Sequence, residues 1–170
     1  MSIDLRDARR SLEDAEWLTN VYPLYLHDLS EFADGYYRLS DRGLWEPDRL
    51  PSWLKEDTDH PLIIVASGHR VGCALMNQAP SPHMQPGMDF RMSEFFVLRR
   101  HRGQGIGRAA VFALFDRFGG TWEVTEIMRN TLAISFWRRV IGEYTSGKYQ
   151  ETMSGTEVRQ TFDTGIWALQ

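Results

Sequence analysis

The stretch Val97-Leu98-Arg99-Arg100-His101-Arg102-Gly103-Gln104-Gly105-Ile106-Gly107-Arg108-Ala109-Ala110 decides how this chain is read. The apolar run Phe95 to Leu98 reads as a strand, and Ala109 to Phe115 reads as a helix. Between them lies a turn with glycines at 103, 105 and 107 and arginines at 99, 100, 102 and 108. Glycines let the backbone approach a ligand closely and adopt angles that a Cβ resists. A helix starting at such a turn presents unpaired N–H groups and the positive end of its dipole to an anion. Strand, cationic glycine turn and helix together predict a phosphate cradle. The plainer alternative is an unliganded glycine turn beside a solvated run of arginines. The spacing is not that of the dinucleotide fingerprint, whose third glycine comes one residue later, and no Gly-Lys-Ser/Thr ending marks a nucleotide P-loop.

Arg102-Gly103-Gln104-Gly105-Ile106-Gly107 resembles the R/Q-x-x-G-x-G/A motif of the GNAT acetyltransferase superfamily. Downstream, Trp122-Glu123-Val124 reads as the next strand, and Asn130-Thr131-Leu132-Ala133-Ile134-Ser135-Phe136-Trp137 resembles the family's N-x-x-A-x-x-F-Y helix. The similarity covers residues 90 to 142 or so. The resemblance implies acetyl-coenzyme A as cosubstrate, its pyrophosphate held by Arg102, Gly103, Gln104, Gly105, Ile106, Gly107 and Arg108. It implies that backbone groups of Phe96, Val97 and Leu98 hold the oxyanion and the pantetheine arm, on a strand splayed away from the next. Without it, Phe95 to Leu98 is a plain core strand. Asn130 is implied as a contact of the pantetheine arm or an ordered water, and it is equally a natural helix N-cap. Phe136 and Trp137 are carried over as part of the coenzyme site.

Acetyl transfer to an amine passes through a tetrahedral oxyanion. The site must therefore polarise the carbonyl, take a proton from the amine and accommodate the departing thiolate. An alkyl ammonium has a pKa near 10, so a base or a desolvating pocket is needed at neutral pH. Glu94 is the candidate general base, because a carboxylate entering the apolar Ser93-Glu94-Phe95-Phe96 has a raised pKa where the cleft is dry. The alternative is that strand alternation turns it toward solvent or Arg91. Many family members carry tyrosine where this chain has Trp137, whose indole N–H donates but has no useful acidity. Tyr144 is the substitute candidate acid, a poor one at about 10 Å farther along a helix; otherwise the thiolate leaves unassisted or a tyrosine elsewhere acts. Two functions follow. One is transfer of acetyl to a primary amine of a small molecule or protein; the other, kept open by Trp137, is a non-catalytic acyl-coenzyme A sensor or assembly module.

The chain's 170 residues suit a single domain over 1–170, and 42% hydrophobic with 25% charged residues is ordinary for a globular protein. A net charge of −4 argues against a nucleic-acid partner, leaving the basic cluster at 99 to 108 as a local feature suited to one small polyanion. Cys73 is the only cysteine, so no intrachain disulfide forms. It lies in an apolar strand and reads as buried rather than nucleophilic. Histidines 27, 60, 69, 83 and 101 lack metal-ligand spacing, so no metal is expected. No run reaches the ~18 residues of a membrane span, and no signal-peptide core is seen; the expectation is a cytoplasmic protein without a membrane partner. Dimers are common in the family, and the aromatic-rich ends offer surfaces for a homodimer.

The expected elements are a strand at Ile3–Arg6, a helix over 12–32 kinked or broken at Pro23, and a short helix over Asp48–Asp57. Strands Leu62–Ala66 and Val71–Met76 follow, joined through Ser67-Gly68-His69-Arg70, and then an irregular loop with prolines at 80, 82 and 86. A strand from Asp89 to Leu98, helix Ile106–Phe118, strand Thr121–Ile127, a helix around Ala133–Ile141 and a hairpin of Tyr149–Ser154 with Glu157–Trp167 complete the chain. This order predicts an α/β fold: a central, mostly antiparallel mixed sheet with helices on both faces. The acceptor side is expected from the first helical segment, with Tyr22, Tyr25, His27, Asp28, Glu31 and Asp34; for the tyrosines core packing is the stronger reading. The proline loop and Tyr36, Tyr37 and Trp45 are expected to cover the cleft.

Overall fold

The computed structural model describes residues 2–33 and 35–165. β1 (Ile3–Asp7) leads through a 3-10 turn into α1 (Leu12–Ser30). Ser11 caps α1 by accepting the Asp14 N–H, and Glu13 and Asp14 occupy the first turn, where the helix dipole favours acids. The predicted break at Pro23 does not occur: α1 runs through it to Ser30. Proline removes one backbone hydrogen bond, while Leu18, Val21, Tyr22, Tyr25 and Leu26 bury one helix face along its length. Beyond it, β2 (Arg38–Leu39) and β3 (Trp45–Glu46) form a small hairpin that the sequence reading did not contain. The helix expected over 48–57 shortens to one turn, α2 (Leu50–Trp53), for Lys55 to Thr58 supply no apolar residue to continue its buried side.

β4 (Asp59–Ala66) and β5 (His69–Gln78) are apolar almost throughout because both sheet faces are covered there. Their turn is only Ser67-Gly68, both at positive φ (48° and 84°), so His69 and Arg70 belong to the strand. β6 (Phe90–Val97), α3 (Ile106–Arg117), β7 (Thr121–Ile127), α4 (Thr131–Tyr144), β8 (Tyr149–Ser154) and β9 (Glu157–Asp163) follow in the expected order. The end of the predicted last strand at Trp167, like Asp34, lies outside the described residues.

The seven-stranded sheet runs β1-β4-β5-β6-β7-β9-β8, antiparallel at every pair except the parallel β6–β7. One face packs on α3 and α4 through Val111, Leu114, Phe115, Trp122, Val140 and Ile141; the other packs on α1 and α2 through Leu18, Leu26, Trp53, Ile63, Leu75 and Phe96. Each such large side chain removed from water contributes on the order of 1.5–3 kcal/mol. Cys73 is fully buried in the second core, and burial pushes its thiol up and leaves it inert. Among the described residues no helix is long and apolar enough to cross a membrane, and no His, Cys, Asp and Glu group could hold a metal ion.

Candidate active site

The central parallel pair comes apart. β6 and β7 are in register only at Phe90–Trp122, Arg91–Glu123 and Met92–Val124, yet β6 continues to Val97 and β7 to Ile127. β7 stays paired with β9 along its whole length. A cleft of about 290 Å³ opens where the two strands diverge. On the β5 side Met76 faces Met92 and Leu75 faces Glu94, which leaves Ser93 as the extra residue of a β-bulge. A bulge re-aims the side chains that follow it. Phe90 and Met92 accordingly pack toward α3 and α4, whereas after the bulge Phe96 packs toward α1 and Phe95 and Val97 toward α3 and α4.

The bulge also turns Glu94 toward α1. There the Tyr22 hydroxyl donates to Glu94 Oε1 at 3.0 Å, while Glu94 Oε2 is buried with no partner. Glu94 is 9% exposed and lines the cleft. Burial pushes its carboxyl up to about 7, against the opposing pull of the Tyr22 hydroxyl, the Trp53 indole and Arg49. A buried carboxyl that titrates near neutrality beside a cleft is able to accept a proton at physiological pH. The alternative orientation, toward solvent or Arg91, is not the one adopted.

The backbone groups assigned to the coenzyme need correction. N–H and C=O groups of alternate strand residues point to opposite edges, and Leu98 donates its N–H to Val71 of β5 at 2.9 Å. The Phe96 carbonyl also lies on that side: a Cβ added at Gly72 would meet its oxygen at 2.1 Å. Phe96 and Leu98 are thus committed to β5, and of the three residues only Val97 faces the opening. Its carbonyl accepts Arg102 Nε at 2.7 Å, so its N–H is the group left over. Phe95, two residues earlier, shares that edge, and its N–H lies beside the Tyr25 hydroxyl.

The glycine turn has the expected backbone. Gly103 and Gly105 sit at φ 74° and 80°, where a side chain is strained, and a Cβ on either would meet nothing within 4 Å. Gly105 is the N-cap of α3 and offers no side-chain acceptor, so the first N–H groups of α3 are left to other partners. Gln104 closes the turn through the Arg100 carbonyl at 2.9 Å, and Ile106 is buried beneath it. Gly107 is glycine for a different reason: a Cβ would come within 3.2 Å of the Phe136 ring and 3.7 Å of Phe95. The arginines are less free than their sequence suggested. Arg99 and Arg102 each donate to Asp28 at 2.7 Å, and Arg108 makes a paired contact with Glu143. Such exposed pairs contribute little, so a polyanion competes for these guanidiniums at little cost.

Asn130 is the N-cap of α4, its Oδ1 accepting the Ala133 N–H at 3.1 Å, and it also lines the cleft. Trp137 lines the cleft too, its ring edge-on to Phe95 at 5.4 Å and to Phe136 at 5.2 Å. Phe136 stacks on Phe95 at 5.8 Å, tying α4 to β6. Tyr144 is elsewhere: it packs edge-on against Phe112 and Phe115, its hydroxyl donates to Asp116 at 2.7 Å, and burial with that acceptor pushes its pKa up. It is no candidate acid.

Sequence reasoning missed several residues of the cleft. Glu126 on β7 is 6% exposed with neither carboxylate oxygen partnered, and burial followed by the nearby Glu151 pushes it up to about 8. The alternation of Trp122, Val124 and Glu126 on one face of β7 was the available signal. Arg49 and Arg91 also line the cleft, and among the described residues neither forms an ion pair; Arg91 entered the sequence analysis only as an alternative partner for Glu94, and Arg49 not at all. Tyr25, Tyr36 and Tyr37 wall the α1 side, as does His83 of the proline loop. Trp45 instead packs beside His27 at 6.2 Å and against the second core.

The family model described as the acetyltransferase (GNAT) family matches residues 18–142. Among solved structures, an acetyltransferase from Thermus thermophilus superposes with a TM-score of 0.67 at 15% identity, covering 96% of this chain and 97% of that one. A GNAT-family acetyltransferase from Listeria monocytogenes gives 0.63 at 12% identity, covering 95% and 94%. The PaiA N-acetyltransferase of Thermoplasma acidophilum, solved in complex with coenzyme A, gives 0.55 at 14% identity, covering 96% and 99%. At these identities the likeness is one of fold. No curated protein matches the chain.

Proposed function

The chain belongs to the GNAT acetyltransferase family, and we propose that it moves an acetyl group from acetyl-coenzyme A to an amine, with Glu94 as the general base. The observation that carries the proposal is the parting of β6 and β7 beyond Met92 and Val124, with Glu94 among the residues that line the cleft there. Two features fit the coenzyme. The turn at Gly103 and Gly105 is open and leads into the uncapped start of α3, which suits the pyrophosphate. The edge of β6 that β7 leaves, with the Val97 N–H available, suits the amide-bearing arm, and Asn130 keeps its side-chain N–H₂ for the same arm.

When bound, the coenzyme supplies a thioester carbonyl as acyl donor and a thiolate as leaving group. Glu94 Oε2 takes the proton that the amine sheds as its nitrogen bonds to the acyl carbon, and the Val97 N–H is the donor nearest in kind to an oxyanion hole. Trp137 delivers no proton. A thiol of ordinary pKa, about 8.5, leaves as the anion without one. Buried Tyr22 holds Glu94 in place and tunes its basicity.

The test is release of free thiol from acetyl-coenzyme A against a panel of amines, alongside calorimetric titration of the coenzyme. Amine-dependent release supports the enzyme. Tight coenzyme binding with no release from polyamines, aminoglycosides, amino acids or peptides favours the sensor reading that Trp137 keeps open.

A further inference from the structure

The α1 side of the cleft has an unexpected charge pattern. A site that takes only a cationic amine is expected to be lined by acids, because burying an ammonium requires a counter-charge. Here three carboxylates, Glu94, Glu126 and Glu157, share the cleft with two guanidiniums, Arg49 and Arg91. The Ser93 bulge is what brings Arg91 and Glu94 to one face: regular alternation from residue 91 to 94 places them on opposite faces, and the extra residue restores them to the same one. Arg91 is half-buried. Its Nη1 donates to the His83 carbonyl and its Nε is buried with no partner. The carboxylate nearest in charge contact, Glu123, is already held by Arg159 at 2.9 Å and by the Gln85 N–H at 3.1 Å. Arg49, at the start of α2, is exposed and free of ion pairs among the described residues, and it lies close enough to Glu94 and Arg91 to act on the charge of both. The two carboxylates that act on Arg91, Glu123 and Glu157, both already pair with Arg159, so Arg49 and Arg91 repel each other with no ion pair of their own among the described residues, and an oxyanion between them relieves that repulsion. Arginine is also the residue whose planar fork fits carboxylate and phosphate oxygens two at a time.

We propose that the acetyl acceptor is a compact amine that itself carries an oxyanion, a carboxylate or a phosphate, seated on Arg49 and Arg91 while its amine faces Glu94. The aromatic wall of Tyr25, Tyr37 and Trp53 takes whatever apolar part joins the two ends. A cleft of about 290 Å³ limits the acceptor to a small molecule or the end of a chain. The inference rests on the acetyltransferase reading for the role of the amine, but the anion seat is a matter of binding and is tested as such.

Protein saturated with coenzyme A is titrated calorimetrically with matched pairs: L-phenylalanine and its amide, L-methionine and its amide, O-phosphoethanolamine and ethanolamine. The member of at least one pair that carries the oxyanion is expected to bind ten-fold or more tightly than the partner that lacks it, and the pair that does so tells carboxylate from phosphate. In the Arg49→Gln/Arg91→Gln variant that preference is lost, while the affinity for coenzyme A, which reports an intact fold, is unchanged. Members without the oxyanion binding as well as those with it, no member binding at all, or a variant that keeps the preference overturns the proposal. Anionic amines that bind through these arginines but release no thiol from acetyl-coenzyme A leave the anion seat standing and refute the acetyltransferase reading instead.

Discussion

Replacing Glu94 with glutamine separates the electrostatic cost of this carboxylate from its packing. The Glu94 carboxyl is moved from its ordinary 4.5 to about 7, chiefly by burial. Because the folded value lies above the unfolded one, the folded state holds its proton longer as the pH rises. Stability is therefore full below about pH 4.5, falls between that value and pH 7, and is level above it. At ~1.4 kcal/mol per pH unit, the loss amounts to about 2.5 kcal/mol between pH 5 and pH 8. Glutamine has no such titration. Its amide keeps the contact with Tyr22 through an oxygen and leaves a buried N–H₂ in place of Oε2, a penalty that is the same at every pH. The difference in melting temperature between Glu94→Gln and the parent should thus shift in favour of the variant by roughly 5–10 °C on going from pH 5 to pH 8. Glu126, also pushed up by burial, is present in both proteins and cancels. Differential scanning calorimetry at both pH values reads this directly, and a difference that stays constant with pH refutes the claim that burial raises the Glu94 carboxyl.

Three further outcomes are expected. Gly105→Val puts a β-branched residue at φ 80° in open space. It should weaken coenzyme A binding at least ten-fold by calorimetry while lowering stability by only about 1–2 kcal/mol. Tyr22→Phe removes the hydroxyl that stabilises ionised Glu94, so the acid limb of the rate profile should move to higher pH, with activity depressed at pH 7 and recovering by pH 8.5. Tyr144→Phe loses a partly exposed contact with Asp116; it should cost about 1 kcal/mol in denaturant melts and leave kcat within two-fold, which a residue acting as the general acid would not allow.

Much of this arrangement is legible in one dimension. The glycine turn, the helix after it and the β-α-β-α order depend on local chemistry: positive φ at Gly103 and Gly105, a cap at Asn130, apolar periodicity in α3 and α4. Glu94 was legible as a charged residue in an apolar strand. What the sequence hides is the sheet's irregularity. The bulge at Ser93 has no residue signature, yet it decides that Glu94 meets Tyr22 and that Arg91 shares its face. The same alternation commits Leu98 to β5, which no inspection of Phe96-Val97-Leu98 reveals. Partners distant in sequence were equally hidden: Asp28 for Arg99 and Arg102, Glu143 for Arg108, Asp116 for Tyr144. Glu126 was overlooked because a carboxylate in a short amphipathic strand reads as solvent-facing until α4 covers it.

The central claim is that Glu94, at the parting of β6 and β7, takes the proton from the attacking amine. The pH dependence of kcat/KM for acetyl transfer, measured for the parent and for Glu94→Gln, tests it most directly. The parent should show an acid limb with an apparent pKa near 7, the value at which Glu94 ionises. The variant should lose that limb and fall in rate by about 10²–10⁴-fold. A variant that keeps both the limb and the rate places the base elsewhere and contradicts the account.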